Sequence, residues 1–196
     1  MISKYFYIVS QHLIPRYIYF KLINTIHQRW QFGQRISWGM FSTIIFSPKS
    51  YINIGNDVIF SNSLYNPTIS KKCKLVVANN AILTIGNNAG FSGVSLYCSK
   101  KITIGNNLVC GGNVSIWDTD FHQLNSNDRI HNIGIVNSKE IKIGDGVFIG
   151  ANSIILKGVK IGNRSIVGAG SVVRKDIAED EVWIGNPATF IKKLNN

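Results

Sequence analysis

The sequence predicts an all-β protein wound as a parallel β-helix. Three observations predict it: aliphatic residues standing six apart, small residues four places after each of them, and Gly-Asn or Gly-Asp pairs between them.

The aliphatic series is cleanest from residue 143 onward, where Ile143, Ile149, Ile155, Ile161, Val167 and Val173 recur at intervals of six. An amphipathic helix repeats at three or four residues, so this period belongs to short strands that turn after each repeat. The companion series is Val147, Ser153, Val159, Ser165 and Ser171, small or β-branched each time. The same pattern runs earlier through Ile85, Phe91 and Tyr97, then after one inserted residue through Ile104, Cys110 and Ile116, with Ala89, Ser95, Leu108 and Val114 as companions. Weaker traces stand at Ile54, Val58 and Phe60. Three faces close one coil of about eighteen residues, and each coil buries its aliphatics on the next. The pairs Gly55-Asn56, Gly86-Asn87, Gly105-Asn106, Gly144-Asp145 and Gly162-Asn163 mark the corners, where tight or left-handed backbone suits these residue types.

Composition bounds the rest. The chain has 196 residues, 45% of them hydrophobic and 16% charged, which suits one folded domain with an appendage and excludes global disorder. A net charge of +11 calls for an anionic partner. The three cysteines, Cys73, Cys98 and Cys110, show no paired spacing, so neither a disulfide framework nor a zinc knuckle is indicated. Cys110 occupies an inward slot and Cys98 follows one, which makes both buried apolar residues rather than nucleophiles.

Residues 1–56 carry six Lys or Arg and no acid, and apolar residues between Tyr5 and Trp38 recur at helical spacings interrupted by Pro15. The expected organisation is a helical appendage over 1–50, a β-helix over 51–185 interrupted by a loop at 117–142, and a C-terminal helix or tail over 186–196. The appendage reads either as a cap packed on the β-helix or as a peripheral, surface-lying membrane helix. No signal-peptide core or membrane span accumulates, so the expected location is cytoplasmic, with membrane association through that segment left open.

The unbroken six-residue register resembles that of the hexapeptide-repeat acyltransferases, and the likeness covers residues 50 to 193. It implies a left-handed β-helix, a hand that the usual crossover rule would not give, and a homotrimer with active sites between neighbouring subunits.

The register breaks between Ile116 and Ile143, and long interruptions of a rigid scaffold are where chemistry concentrates. Within the break, Asp118-Thr119-Asp120-Phe121-His122 resembles the catalytic loop of the sugar O-acetyltransferase branch. That resemblance implies His122 as the general base, which an alcohol needs because it is almost un-ionised at neutral pH. A carboxylate would hold the imidazole tautomer, with Asp120 favoured over Asp118. Asp118 and His131 are the candidates for contact with the acceptor, His131 being otherwise a solvated residue; His12 and His27 read as packing or surface residues of the appendage. A zinc site needs three converging imidazoles, and the repeat region offers only His122 and His131, so no metal is expected.

Toward the C-terminus, Gly168-Ala169-Gly170-Ser171-Val172-Val173-Arg174-Lys175 and Trp183-Ile184-Gly185-Asn186-Pro187 resemble the family's terminal signature, which implies acetyl-coenzyme A as co-substrate. Ala151 and Ala169 match positions along the pantetheine arm, and Arg174, Lys175 and Lys192 match positions beside the phosphates. Arg174 stands where the family usually has Thr or Ser. The resemblance therefore implies an acetyl-coenzyme A-dependent O-acetyltransferase of a saccharide, with surface-polysaccharide biosynthesis as its expected setting. The alternatives are N-acetylation of an amino sugar and a non-catalytic β-helix scaffold. Nucleic acid is not an expected partner, since the repeat lacks aromatics interleaved on a basic face.

Overall fold

The computed structural model describes residues 29–39, 42–62 and 71–195. The part of the expected appendage before residue 29, with His12 and His27, lies outside the described residues. The chain is a left-handed parallel β-helix of three sheets. Its coils are strand triplets: β1 (Trp30–Phe32), β2 (Ser37–Trp38), β3 (Thr43–Phe46); β4 (Tyr51–Ile54), β5 (Ile59–Ser61), β6 (Lys74–Val77); β7 (Ile82–Ile85), β8 (Gly90–Ser92), β9 (Ser95–Cys98); β10 (Lys101–Ile104), β11 (Val109–Gly112), β12 (Ser115–Trp117). After a long excursion holding the short helix α1 (Ser126–His131), winding resumes through β13 (Ile141–Ile143), β14 (Phe148–Ile149), β15 (Ile154–Ile155), β16 (Lys160–Ile161), β17 (Ile166–Val167) and β18 (Val172–Val173). The first strand of each triplet joins the first face, the second the second face and the third the third.

Two boundaries differ from expectation. Among the described residues the coils already run from Trp30, ahead of residue 51, because β1, β2 and β3 pair in parallel with β4, β5 and β6. Large aromatics, Trp30, Phe32 and Trp38, fill the slots that β-branched aliphatics fill later, so the six-residue signature fades there although the winding does not. At the other end, the described part of the expected helix or tail is a strand: β19 (Glu181–Gly185) enters the ladder beside β17, and β20 (Ala188–Lys193) returns antiparallel upon it, extending the second face to eight strands. This hairpin covers what would otherwise be an open parallel edge.

The core is a set of columns running through the coils. On the first face, Ile54, Ile85, Ile104, Ile143 and Ile161 are register partners. On the second, Trp38, Phe60 and Phe91 stack at 4.5 and 5.0 Å with nearly parallel rings, and Cys110, Ile149 and Val167 continue the line. Phe60 and Phe91 are fully buried, and truncating either to alanine removes about 3–5 kcal/mol. On the third face the column is Ile44, Leu75, Leu96, Ile116, Ile155 and Val173.

That third column corrects one assignment. Leu96, not Tyr97, points inward, and Val94, not Ser95, is its buried companion. The repeat loses one residue before Leu96 and gains two after it, so Tyr97 turns to the outer surface and Cys98 itself sits inside. All three cysteines are buried, and burial first of all pushes their thiols upward, with the charge of Asp118 adding to the effect at Cys98. The native protein is therefore expected to show no reaction with a chromogenic aromatic disulfide at about pH 8, and the unfolded chain to titrate all three thiols. Fast labelling of any cysteine in the native state would contradict this packing.

The corners between the first and second faces carry a side-chain ladder. The backbone N–H groups of Gln34, Asn56, Asn87, Asn106 and Asp145 donate in turn to the side-chain oxygens of Asn56, Asn87, Asn106, Asp145 and Asn163, at 2.6–2.9 Å. The glycine before each amide serves close approach rather than unusual backbone: a Cβ on Gly86 would lie 2.6 Å from the carbonyl carbon of Gly105. Left-handed backbone falls later in each corner, at Asp57, Asn88, Asn107, Gly146 and Arg164.

Candidate active site

The excursion from the third face starts by holding the wall it leaves. Asp118 continues the in-and-out alternation of β12, so its side chain points inward and is fully buried. Its Oδ1 accepts the N–H of Ser99 at 2.6 Å and its Oδ2 accepts those of Lys100 and Lys101 at 2.7 Å each. The carboxylate thus caps the turn from β9 to β10. Asp118 is not available to face a substrate, nor to orient His122; it is fully buried and held by three backbone donors.

The loop then pinches into a two-stranded neck. Thr119 bridges Ser138 antiparallel, their hydroxyls lie 2.9 Å apart, Asp120 N–H donates to Asn137 O at 3.1 Å and Lys139 N–H to Asp118 O at 2.9 Å. Beyond the neck stands α1, N-capped by the side chain of Asn125 and ended by Asn132 in left-handed conformation. Arg129 ties it down by donating to the carbonyls of Gln123 and Leu124, each at 3.0 Å.

His122 lies just past the neck. It is exposed, and its ring has no hydrogen-bond partner among the described residues. The preceding residue, Phe121, has φ 62, an uncommon conformation for a bulky side chain, and packs edge-on against Tyr97 and Trp117 at centroid distances of 4.9 and 5.7 Å. Asp120 is not the partner of His122 in this chain. Its Oδ1 pairs with Lys157 Nζ at 2.5 Å, both side chains about one-fifth exposed, while its buried Oδ2 has no partner among the described residues. His131 sits in the last turn of α1, exposed, with Nδ1 2.9 Å from the carbonyl of Asn127.

The cofactor candidates divide between two edges of the prism. Ala151 and Ala169 stack with Gly111 at the corner between the second and third faces; a Cβ on Gly111 would lie 2.7 Å from Ala151 N, so this corner is a close-packed run of small residues. Arg174 and Lys175 follow β18, on the same edge from which the loop departs and Lys157 projects. Both are exposed and line a groove of about 160 Å³ with Trp183, Pro187, Ala188, Thr189 and Phe190. Lys192 is exposed on β20 and does not line this groove. Within one chain, then, His122, Lys157, Arg174 and Lys175 share an edge, and Ala151 and Ala169 lie on another.

Sequence reasoning missed Lys157 and the cluster of Tyr97, Trp117 and Phe121. Nothing in the sequence marks Lys157, which reaches its partner across 37 positions. Tyr97 and Trp117 could have been found from strand alternation, since both follow an inward residue.

Comparison with known proteins agrees with the β-helical fold. The family described as bacterial transferase hexapeptide (six repeats) matches residues 140–175. A provisionally named acetyltransferase of Schizosaccharomyces pombe is 45% identical over 95 residues, 48% of this chain and 44% of that protein. The chain thus spans about half the length of that curated relative. A maltose O-acetyltransferase of Clostridium difficile 630 superposes with a TM-score of 0.55 at 27% identity, over 95% of this chain and 81% of that one. A galactoside acetyltransferase in complex with coenzyme A does so with a TM-score of 0.58 at 26% identity, over 94% of this chain and 75% of that one.

Proposed function

We propose that this hexapeptide-repeat chain is an acetyl-coenzyme A-dependent O-acetyltransferase that acts on a saccharide hydroxyl, with His122 as general base. The observation that carries the reading is an uncommitted imidazole, presented beyond a hydrogen-bonded neck at the one long break of the scaffold, on the edge that leads to Arg174 and Lys175. Likeness to the maltose and galactoside enzymes supports it.

The residues fit a phosphate-bearing donor: two exposed cations line one groove, and a run of small side chains lets an extended amide-bearing arm approach backbone. Acetyl-coenzyme A supplies the acyl group and a thiolate leaving group. His122 accepts the acceptor's hydroxyl proton as the oxygen attacks the thioester carbonyl, and returns that proton to the departing sulfur. Because Ala151 and Ala169 lie on a different edge from His122, a complete site on this reading takes the small-residue corner from a second copy of the chain, as a trimer of β-helices would supply it.

Replacing both Arg174 and Lys175 with alanine is expected to raise the KM for acetyl-coenzyme A about tenfold at low salt, with kcat at saturating donor unchanged. A truncated donor, acetylated pantetheine without phosphates, should react equally well with both proteins. The reading is tested by acceptor-dependent thiol release from acetyl-coenzyme A over a panel of sugars and nucleotide sugars. Absence of release with every hydroxylated and amino acceptor would remove it.

A further inference from the structure

The positive charge of this chain does not gather where a phosphate-bearing donor would need it. Residues 1–117 hold eleven Lys or Arg and one acid, Asp57, whereas residues 118–196, which include Arg174 and Lys175, hold ten Lys or Arg and nine acids. A β-helix adds its coils one strand spacing at a time, about 4.8 Å, so a gradient along the sequence is a gradient along the axis. The surplus therefore lies toward the end built from β1 to β6. There Arg29, Lys49, Lys71 and Lys74 are exposed, while Asp57 is paired with Arg35. Apolar side chains are exposed in the same two coils, one on each face: Tyr51 at 47% on the first, Ile59 at 51% on the second and Ile45 at 38% on the third. The guanidinium of Arg29 stands 5.2 Å from the centre of the Tyr51 ring, so a cation and an aromatic are presented together. Cations and apolar groups thus ring this end, and the single acid among its described residues is already neutralised.

We infer that this end of the β-helix docks on a membrane surface bearing anionic lipid. The attraction of a negative leaflet reaches about one Debye length, roughly 8 Å at physiological salt, and two coils one strand spacing apart fit within it. Tyr51, Ile59 and Ile45 supply shallow apolar contact at the headgroup boundary, which charge alone would not require. The 28 residues that lead into Arg29 add Lys4, Arg16 and Lys21 among aromatic and aliphatic residues, with no acid, and that is the composition of segments that lie in a membrane interface. Nucleic acid would satisfy the cations but leave the apolar ring without a partner. Docked by this end, the chain holds its loop neck at the fourth coil and the groove of Arg174 and Lys175 at the sixth, the latter about 24 Å from the first coil at one strand spacing each, so lipid covers neither. The inference does not depend on the acetyltransferase reading.

Flotation of the full chain with vesicles tests this, using phosphatidylcholine alone and phosphatidylcholine with about 30% phosphatidylserine, each at about 0.1 M and about 0.5 M salt. The expected result is flotation with the anionic vesicles at low salt, weakened at high salt, and little with the neutral ones. Lys49→Gln, Lys71→Gln and Lys74→Gln combined should lower the partition coefficient at least about tenfold, since one cation near an anionic surface is worth roughly a factor of five. Lys142→Gln, Lys160→Gln and Lys193→Gln combined remove the same charge from later in the chain and should leave partitioning within about twofold. All six side chains are exposed, and unchanged thermal unfolding by circular dichroism shows both variants folded. The inference is overturned if the wild-type chain does not float with anionic vesicles, if it floats equally well with neutral ones, if the first variant floats like the wild type, or if both variants lose binding alike. Retardation of a DNA or RNA oligonucleotide that depends on Lys49, Lys71 and Lys74, without vesicle binding, would overturn it too and assign the charge to nucleic acid.

Discussion

Asp118→Ala is expected to lower the free energy of unfolding by about 2–4 kcal/mol, a large share of the roughly 5–15 kcal/mol that holds a domain of this size together. The carboxylate is fully buried and accepts three backbone N–H groups, from Ser99, Lys100 and Lys101. Removing it leaves those donors without a partner and opens a hole between two coils. Lys100 is exposed, so water recovers part of the loss there, which is why the figure stays below the sum of three fully buried penalties. Asp118→Asn should fall between the wild type and the alanine variant, because the amide keeps one acceptor oxygen but turns hydrogens toward donors. Denaturant unfolding followed by circular dichroism measures both. The expected order is wild type, Asn, Ala, with an unchanged denaturant slope. A variant as stable as the wild type but defective only in acceptor KM would return Asp118 to the substrate-facing role that its place in a polar loop suggests.

The contrast between Asp118 and Asp120 shows what the sequence can and cannot say about this site. Both are aspartates in the same polar stretch, but alternation distinguishes them: Ile116 is inward, Trp117 outward and Asp118 inward again, just as Leu96 and Cys98 are inward on either side of Tyr97. Period-two reasoning carried two residues past the last β-branched position would have buried Asp118. No such rule finds Lys157, whose contact depends on where the fifth coil passes the neck of the loop. The fold was legible from residue 143 onward because each turn there has the same length, so one aliphatic and one small residue per face repeat without interruption. It was misread around Tyr97 because a lost residue and two gained ones nearly cancel, leaving a six-residue spacing from Phe91 that lands on the wrong face. The first coil was missed because Trp30, Phe32 and Trp38 fill inward slots with aromatic stacking and a Trp30 Nε1 hydrogen bond to Ser50 rather than with a β-branched series.

His122→Ala is expected to reduce acceptor-dependent kcat about 10²–10⁴-fold, the usual worth of a positioned general base, while KM for acetyl-coenzyme A changes little. The ring is exposed and bonded to no described residue, so its removal leaves no buried group unsatisfied and should shift the unfolding midpoint hardly at all. That separation of rate from stability is what distinguishes it from Asp118. A surface histidine of no chemical role would give neither effect; a histidine that merely packs the loop would give both. His122→Gln keeps hydrogen-bonding capacity without a proton-accepting imidazole and should be as slow as the alanine variant, whereas a role limited to holding the acceptor would let it recover. His131→Ala supplies the internal comparison, since that ring is already engaged by the Asn127 carbonyl within α1 and its loss should leave kcat within about twofold. If His131→Ala were the slower of the two, the base would have to be moved from the neck of the loop to its helix.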